Sequence, residues 1–232
     1  MEQEIQLAGR HKRKEKVMMK DDREYRFIPM DRFEIRKAEE EGSEPSFFVE
    51  GYATTWDEYV LFEEDGVQYK EQILPEAFED ADMTDVIFVK DHQGTVYART
   101  KNGTLTLTVD EHGLKVKADM SKTSSAREAF EEIASGMYDQ MSFAFTVNAD
   151  EYDQRTHKRT IKGLKKLYDT SFVGFPANPG TDISVSTRDY FNGVIEMERA
   201  ERLLQEQKQR ELELAKAELI KRLGLQEESN ES

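Results

Sequence analysis

The chain contains no cysteine. Disulfides, thiolate nucleophiles and Cys-ligated zinc are thereby excluded, which suits a reducing compartment. Proline is scarce, with five residues in 232, and tryptophan occurs once. No apolar run approaches the roughly 20 residues that span a bilayer. The first residues, Met1-Glu2-Gln3-Glu4, lack the basic-then-apolar order of a signal peptide. The expectation is a soluble chain with no membrane partner. Positive charge is outweighed: 33 Lys and Arg against 48 Asp and Glu leave a net charge of −15. Such a surface repels phosphate backbones and argues against a nucleic-acid partner. Apolar residues reach only 37%. A core of ordinary density with polar, solvated appendages is the expected outcome.

What is present begins with a basic cluster, Arg10, Lys12, Arg13, Lys14, Lys16 and Lys20, within residues 1–22. It reads as a flexible arm, either simply solvated or docking on an acidic partner. From 23 to about 120 the pattern is β. Residues 24–28 (EYRFI) alternate, 47–53 (FFVEGYA) are aromatic and strand-like, and 86–89 (VIFV) suit a buried strand that ends at Lys90-Asp91-His92. Pro75 opens a short helical stretch over 76–81. Residues 104–109 and 114–118 form a hairpin about the turn 110–113 (DEHG).

A helix follows, with Ser125 and Glu128 at capping-box spacing, apolar residues from Ala126 to Ala134 at three-and-four spacing, and Gly136 as its stop. Strands are expected over 141–148 and 164–175, separated by the polar 150–155 and ended by the prolines of 176–180. Residues 192–223 read as a long charged helix. Glu198/Arg202, Glu206/Arg210 and Glu218/Arg222 are i,i+4 pairs in the favourable order. Its apolar stripe (Leu203, Leu212, Leu219, Leu223) breaks register after Leu204, so it is either solvated or self-associating. The expected fold is mainly β with α (α+β): a closed or half-closed barrel with helices outside, plus the long C-terminal helix. The expected division is an arm over 1–22, a domain over 23–190 and a helical extension over 191–232.

Three polar residues interrupt apolar strands. His92 follows the VIFV run; His11, His112 and His157 sit in charged or turn-like stretches. Ser142 alternates with Met141 and Phe143, so the large residues can fill a core while Ser142, Ala144 and Thr146 leave space on the other face. Asp169 lies within 167–173 (LYDTSFV) and must be hydrogen-bonded or solvated, since an isolated buried carboxylate is very costly. One serine, one histidine and one acid on strands of one domain are the material of a serine nucleophile, its general base and an orienting group. The order His, Ser, Asp is not that of the common triads, and there is no G-x-S-x-G elbow. An unrelated esterase or amidase therefore has little support.

The same residues carry a resemblance over about 24–187. Residues 48–53 (FVEGYA), 71–78 (EQILPEAF), 90–92 (KDH), Gly113-Leu114, 136–145 (GMYDQMSFAF) and 168–179 (YDTSFVGFPANP) occur in the order of the prohead proteases of tailed phages. The resemblance implies a fold related to herpesvirus maturation proteases, a barrel ringed by helices. It implies a serine endopeptidase acting in the host cytoplasm, inside the assembling prohead, on the major capsid protein and its scaffold region. It places the catalytic histidine on His92, the serine on Ser142 and the third member on Asp169, with no cofactor or metal. Three residues depart from the family pattern: Glu76 stands for a glycine, Asp169 for a longer glutamate, and Gln93 for an acid. Gly174 is a candidate for backbone approach to an oxyanion, or else a simple bulge. The competing reading is a non-catalytic, scaffold-like procapsid protein on a protease-like fold, with possible self-association through the helix.

Overall fold

The computed structural model describes residues 22–28, 34–36, 47–174 and 185–224. The basic arm, Asp22 apart, and the strand stop at 176–180 lie outside the described residues. Two sheets share the strands. The first runs β1 (Glu24–Ile28), β10 (Gln140–Asp153), β11 (Lys158–Val173), β5 (Val67–Ile73) and β4 (Tyr59–Glu64), with β6 (Ile87–Lys90) and β7 (Gln93–Arg99) branching from β11. The second is β2 (Glu34–Arg36), β3 (Phe48–Thr55), β9 (Gly113–Asp119) and β8 (Leu105–Val109). One edge of β11 pairs antiparallel with β10, while the other takes β5 at 158–161 and β6 at 169–172, both parallel.

Both sheets turn apolar faces into one cluster with helix α1 (Ser124–Ala134). Val49, Leu114 and Val116 come from the second sheet, Phe88, Phe143, Leu167 and Phe172 from the first, and Phe130 and Ile133 from the helix. Each such side chain contributes about 1.5–3 kcal/mol on burial. Gly113 sits so close to β3 that a Cβ there would overlap the Thr54 carbonyl. The ladders among the described residues remain two open sheets, where a closed or half-closed barrel was expected. The architecture is α+β, mostly strands with one long C-terminal helix, and no described helix is long and apolar enough to cross a membrane.

Three elements differ from expectation. Helix α1 is capped by Thr123, whose Oγ1 accepts from the Ala126 amide at 3.1 Å; Ser125 already lies inside the helix. At the other end Gly136 adopts φ 78° and closes a Schellman pair, Met137 N–H to Glu132 C=O and Gly136 N–H to Ile133 C=O. The polar 150–155 stretch is no separator, because β10 continues to Asp153 and β11 starts at Lys158. Cross-strand ion pairs such as Arg159–Asp150 (2.6 Å) and Lys162–Glu151 hold that end of the hairpin, so the apolar alternation fades while the ladder persists. Helix α2 (Val185–Leu223) begins well before 192. Its first turns bury Phe191 and Ile195 against Phe62 and Tyr69, and beyond Glu198 it is exposed almost throughout.

Candidate active site

β6 and β7 form a hairpin with Lys90 opposite Gln93, so Asp91 and His92 alone make the turn, at φ 48° and 58°. Two successive positive φ values are the type I′ geometry whose twist matches the flanking strands. Side chains larger than glycine cost roughly 1–3 kcal/mol each in such regions. Contacts to β11 offset that cost: Asp91 N–H donates to the Phe172 carbonyl at 3.2 Å, and His92 N–H to Ser171 Oγ at 3.0 Å. The sequence put His92 at a strand end; it occupies the corner of a strained turn.

Register then assembles the rest. β6 runs parallel to β11 with Ile87 beside Asp169 and Val89 beside Ser171, while β10 sets Ser142 beside Ser171 and Ala144 beside Asp169. Partners in register share a face, so Ser142, Asp169 and Ser171 converge below the His92 turn. His92 Nδ1 lies 2.6 Å from Asp169 Oδ1 and His92 Nε2 lies 2.6 Å from Ser142 Oγ. The structure thus brings together all three residues singled out from the sequence, and the aspartate reaches the imidazole despite its short side chain. Ser171 Oγ donates to Asp169 Oδ1 at 3.0 Å and lies 3.1 Å from His92 Nδ1. Tyr25 sets its ring edge-on to the imidazole, 4.7 Å between centroids. His92 and Asp169 side chains keep only 12% and 7% exposure.

The space expected beside Ser142 is filled. Ser142 is fully buried, with β1 paired along β10 so that Phe27 stands opposite the serine. Ser142 Oγ lies 2.9 Å from the Arg26 carbonyl, a second acceptor besides His92 Nε2 for a single hydroxyl hydrogen. Elsewhere, His112 is exposed in the β8–β9 turn beside Glu111, and His157 sits by Glu198 of α2; His11 lies outside the described residues. At Gly174 a Cβ would meet the Tyr138 ring at 3.1 Å.

On the opposite face of β1 lies a buried charge network. Arg26 binds Glu71 through Nε and Nη2, Glu24 through Nη2 (2.5 Å), and Thr187 Oγ1 through Nη1 (3.1 Å). Arg159 binds Glu24 at 2.8 and 3.0 Å, Glu71 at 3.3 Å and Asp150 at 2.6 Å. Tyr59 O–H donates to Glu71, and Thr187 O–H to Glu24 at 2.8 Å. Burial alone would raise the Glu24 carboxyl, but Arg26 and Arg159 hold it at about 2. Burial works against the Arg26 cation too, but the Glu71 and Glu24 carboxylates together outweigh it, leaving the guanidinium well above its usual value. Sequence reasoning missed Ser171 and this network. The available signals were a serine two residues after Asp169, hence on its face, and a charged Glu24/Arg26 pair on one face of a short strand.

Residues 31–194 match the family model described as caudovirus prohead serine protease. Comparison with curated proteins and with solved structures returns no match. The matched segment runs from just after β1 into the packed turns of α2 and takes in His92, Ser142 and Asp169. With more than half of its length matched, the chain belongs to the caudovirus prohead serine proteases, and at that level it is a phage serine peptidase of capsid maturation.

Proposed function

We propose that Ser142 is the nucleophile, His92 the general base and Asp169 the orienting carboxylate of an endopeptidase that cleaves the major capsid protein and its scaffold region inside the prohead. The observation that carries this reading is the relay of two 2.6 Å contacts from Asp169 through His92 to Ser142. An ionised carboxylate only accepts, so Nδ1 carries the imidazole hydrogen and Nε2 presents its lone pair to the serine hydroxyl. His92 takes that proton as Oγ attacks the scissile carbonyl, then returns it to the leaving amine as the acyl-enzyme forms. Water, activated by the same imidazole, releases the acid and restores Ser142. In this reading the basic arm (1–22) and the helical extension (191–232) flank a protease domain over 23–190, on which the first turns of α2 dock. The link to herpesvirus maturation proteases, and with it a barrel, belongs to the same reading.

A second reading, a scaffold-like assembly protein, is favoured by the long solvent-facing part of α2. Incubating the full chain with the major capsid protein of the same phage separates the two. Wild type cleaves it, while Ser142→Ala and His92→Ala, at matched circular dichroism, lose several orders of magnitude because nucleophile and base act as a unit. Full processing by either variant overturns the assignment.

A further inference from the structure

A nucleophile must be reached by a peptide, yet Ser142 has no exposed surface and its neighbour is a peptide strand of the same chain. Among the described residues β1 is the terminal strand of its sheet; it lies antiparallel along the serine strand and precedes the family-matched residues 31–194. Its Arg26 carbonyl points its oxygen, not its carbon, at the nucleophile: Ser142 Oγ lies 2.9 Å from that oxygen. A hydroxyl that donates there cannot donate to His92 Nε2, so the geometry both blocks access and competes for the proton that catalysis must move. Tyr25 meanwhile covers the imidazole. We propose that β1 is a resident occupant of the substrate lane along β10, and that substrates replace it with an extended segment carrying an acid and an arginine two residues apart. The proposal rests on Ser142 being the nucleophile.

The charge network gives the lane its chemistry. β1 brings a matched pair, Glu24 and Arg26, two residues apart on one face. When β1 leaves, its two charges cancel and are rehydrated, and Arg159 stays between Glu71 and Asp150. Glu71 loses both Arg26 contacts but keeps Arg159 at 3.3 Å and the Tyr59 hydroxyl, so neither a cation nor a carboxylate is left wholly without a partner, which limits the cost of breaking a buried network. An apolar anchor would gain nothing from water on release; this ionic one does. An incoming segment must satisfy the same partners, a guanidinium for Glu71 and a carboxylate for Arg159 and Thr187. Thr187 lies in the first turns of α2, so the latch also joins β1 to the helix.

The test uses the full chain in two forms. One carries a foreign protease site within 29–33 and is cut so that the strand can leave. The other is the uncut double variant Glu24→Gln, Thr187→Val, which loosens the latch. Two rates are read: modification of Ser142 by a small fluorophosphonate, and hydrolysis of fluorogenic peptides containing Glu-Tyr-Arg-Phe or Glu-Tyr-Ala-Phe. The expected result is slow labelling of the uncut wild type and at least tenfold faster labelling of one or both altered forms. Peptide hydrolysis should rise in parallel, with KM at least tenfold higher for the alanine peptide. Equal labelling of all forms overturns the proposal and leaves the nucleophile assignment standing, with β1 a fixed structural strand. Loss of folding in the cut chain, with no gain in the double variant, overturns it in the same way. No labelling of any folded form overturns the nucleophile assignment, and the proposal with it.

Discussion

The main-chain amide of His92 donates to the Ser171 hydroxyl at 3.0 Å, tying the strained turn that carries the imidazole to the strand that carries Asp169. The hydroxyl passes its own hydrogen to Asp169 Oδ1, also at 3.0 Å. If His92 and Asp169 work as proposed, Ser171 is a positioning residue. Ser171→Ala removes contacts that hold the turn without touching the 2.6 Å relay. A net hydrogen bond of about 1–1.5 kcal/mol corresponds to roughly a tenfold loss, expected in kcat with KM little changed and partial rescue by Ser171→Thr. An equal rise in KM would indicate a merely structural serine.

Asp169→Asn tests the carboxylate itself. An amide nitrogen facing Nδ1 favours the tautomer with the hydrogen on Nε2, where it can no longer accept from Ser142. By analogy with other serine triads the loss approaches about 10⁴-fold in kcat. Unchanged kcat/KM would leave Asp169 a satisfied strand carboxylate and the site a Ser–His dyad.

Acid should weaken the grip on β1. Glu24 titrates at about 2 in the folded chain against an ordinary 4.5. A depressed carboxyl stabilises the fold above its unfolded value, and that contribution, on the order of 3 kcal/mol, fades as pH falls from about 5 towards 2. Denaturant midpoints measured at pH 6 and pH 3 should differ by more in wild type than in Glu24→Gln. Parallel losses in the two proteins would put the acid sensitivity elsewhere.

Helix α2 should divide sharply at Glu198. Phe191 is packed against Phe62 and Tyr69, ring centroids 5.2 and 5.8 Å away, so Phe191→Ala should cost about 3–5 kcal/mol. Deleting 201–232 removes a stretch whose described residues, 201–224, are exposed nearly throughout, and should shift Tm by no more than about 2–4 °C, the effect of some 1 kcal/mol. A large Tm loss on truncation would make the distal helix part of the folded core.

The sequence alone made β1, β3, the β8–β9 hairpin, α1 and the apolar halves of β10 and β11 legible, because each alternates or repeats with the period of its element. Met141, Phe143 and Phe145 do face the core and Ser142 the other side. Legibility failed where partners came from distant residues. The tip of the β10–β11 hairpin is held by charge pairs across the ladder, and the start of α2 by aromatic contacts to β4 and β5. The crowding of Ser142 also escaped, since nothing in residues 140–146 announces that a strand from residue 24 lies alongside. His92, Ser142 and Asp169 were legible as candidates, but their meeting depends on the parallel β6–β11 register, which no local pattern encodes.

The distal helix has a mechanical meaning. Its root is clamped where Glu198 meets Tyr152 at 3.0 Å and His157 at 3.2 Å, and from there it runs on to Leu223. At 1.5 Å per residue that arm is about 37 Å long. A body gripping its tip would hold the serine site on a radius fixed by the arm. Only chains passing within that radius would be in range, so shortening the arm by whole turns would retune which segments of a crowded shell come within reach.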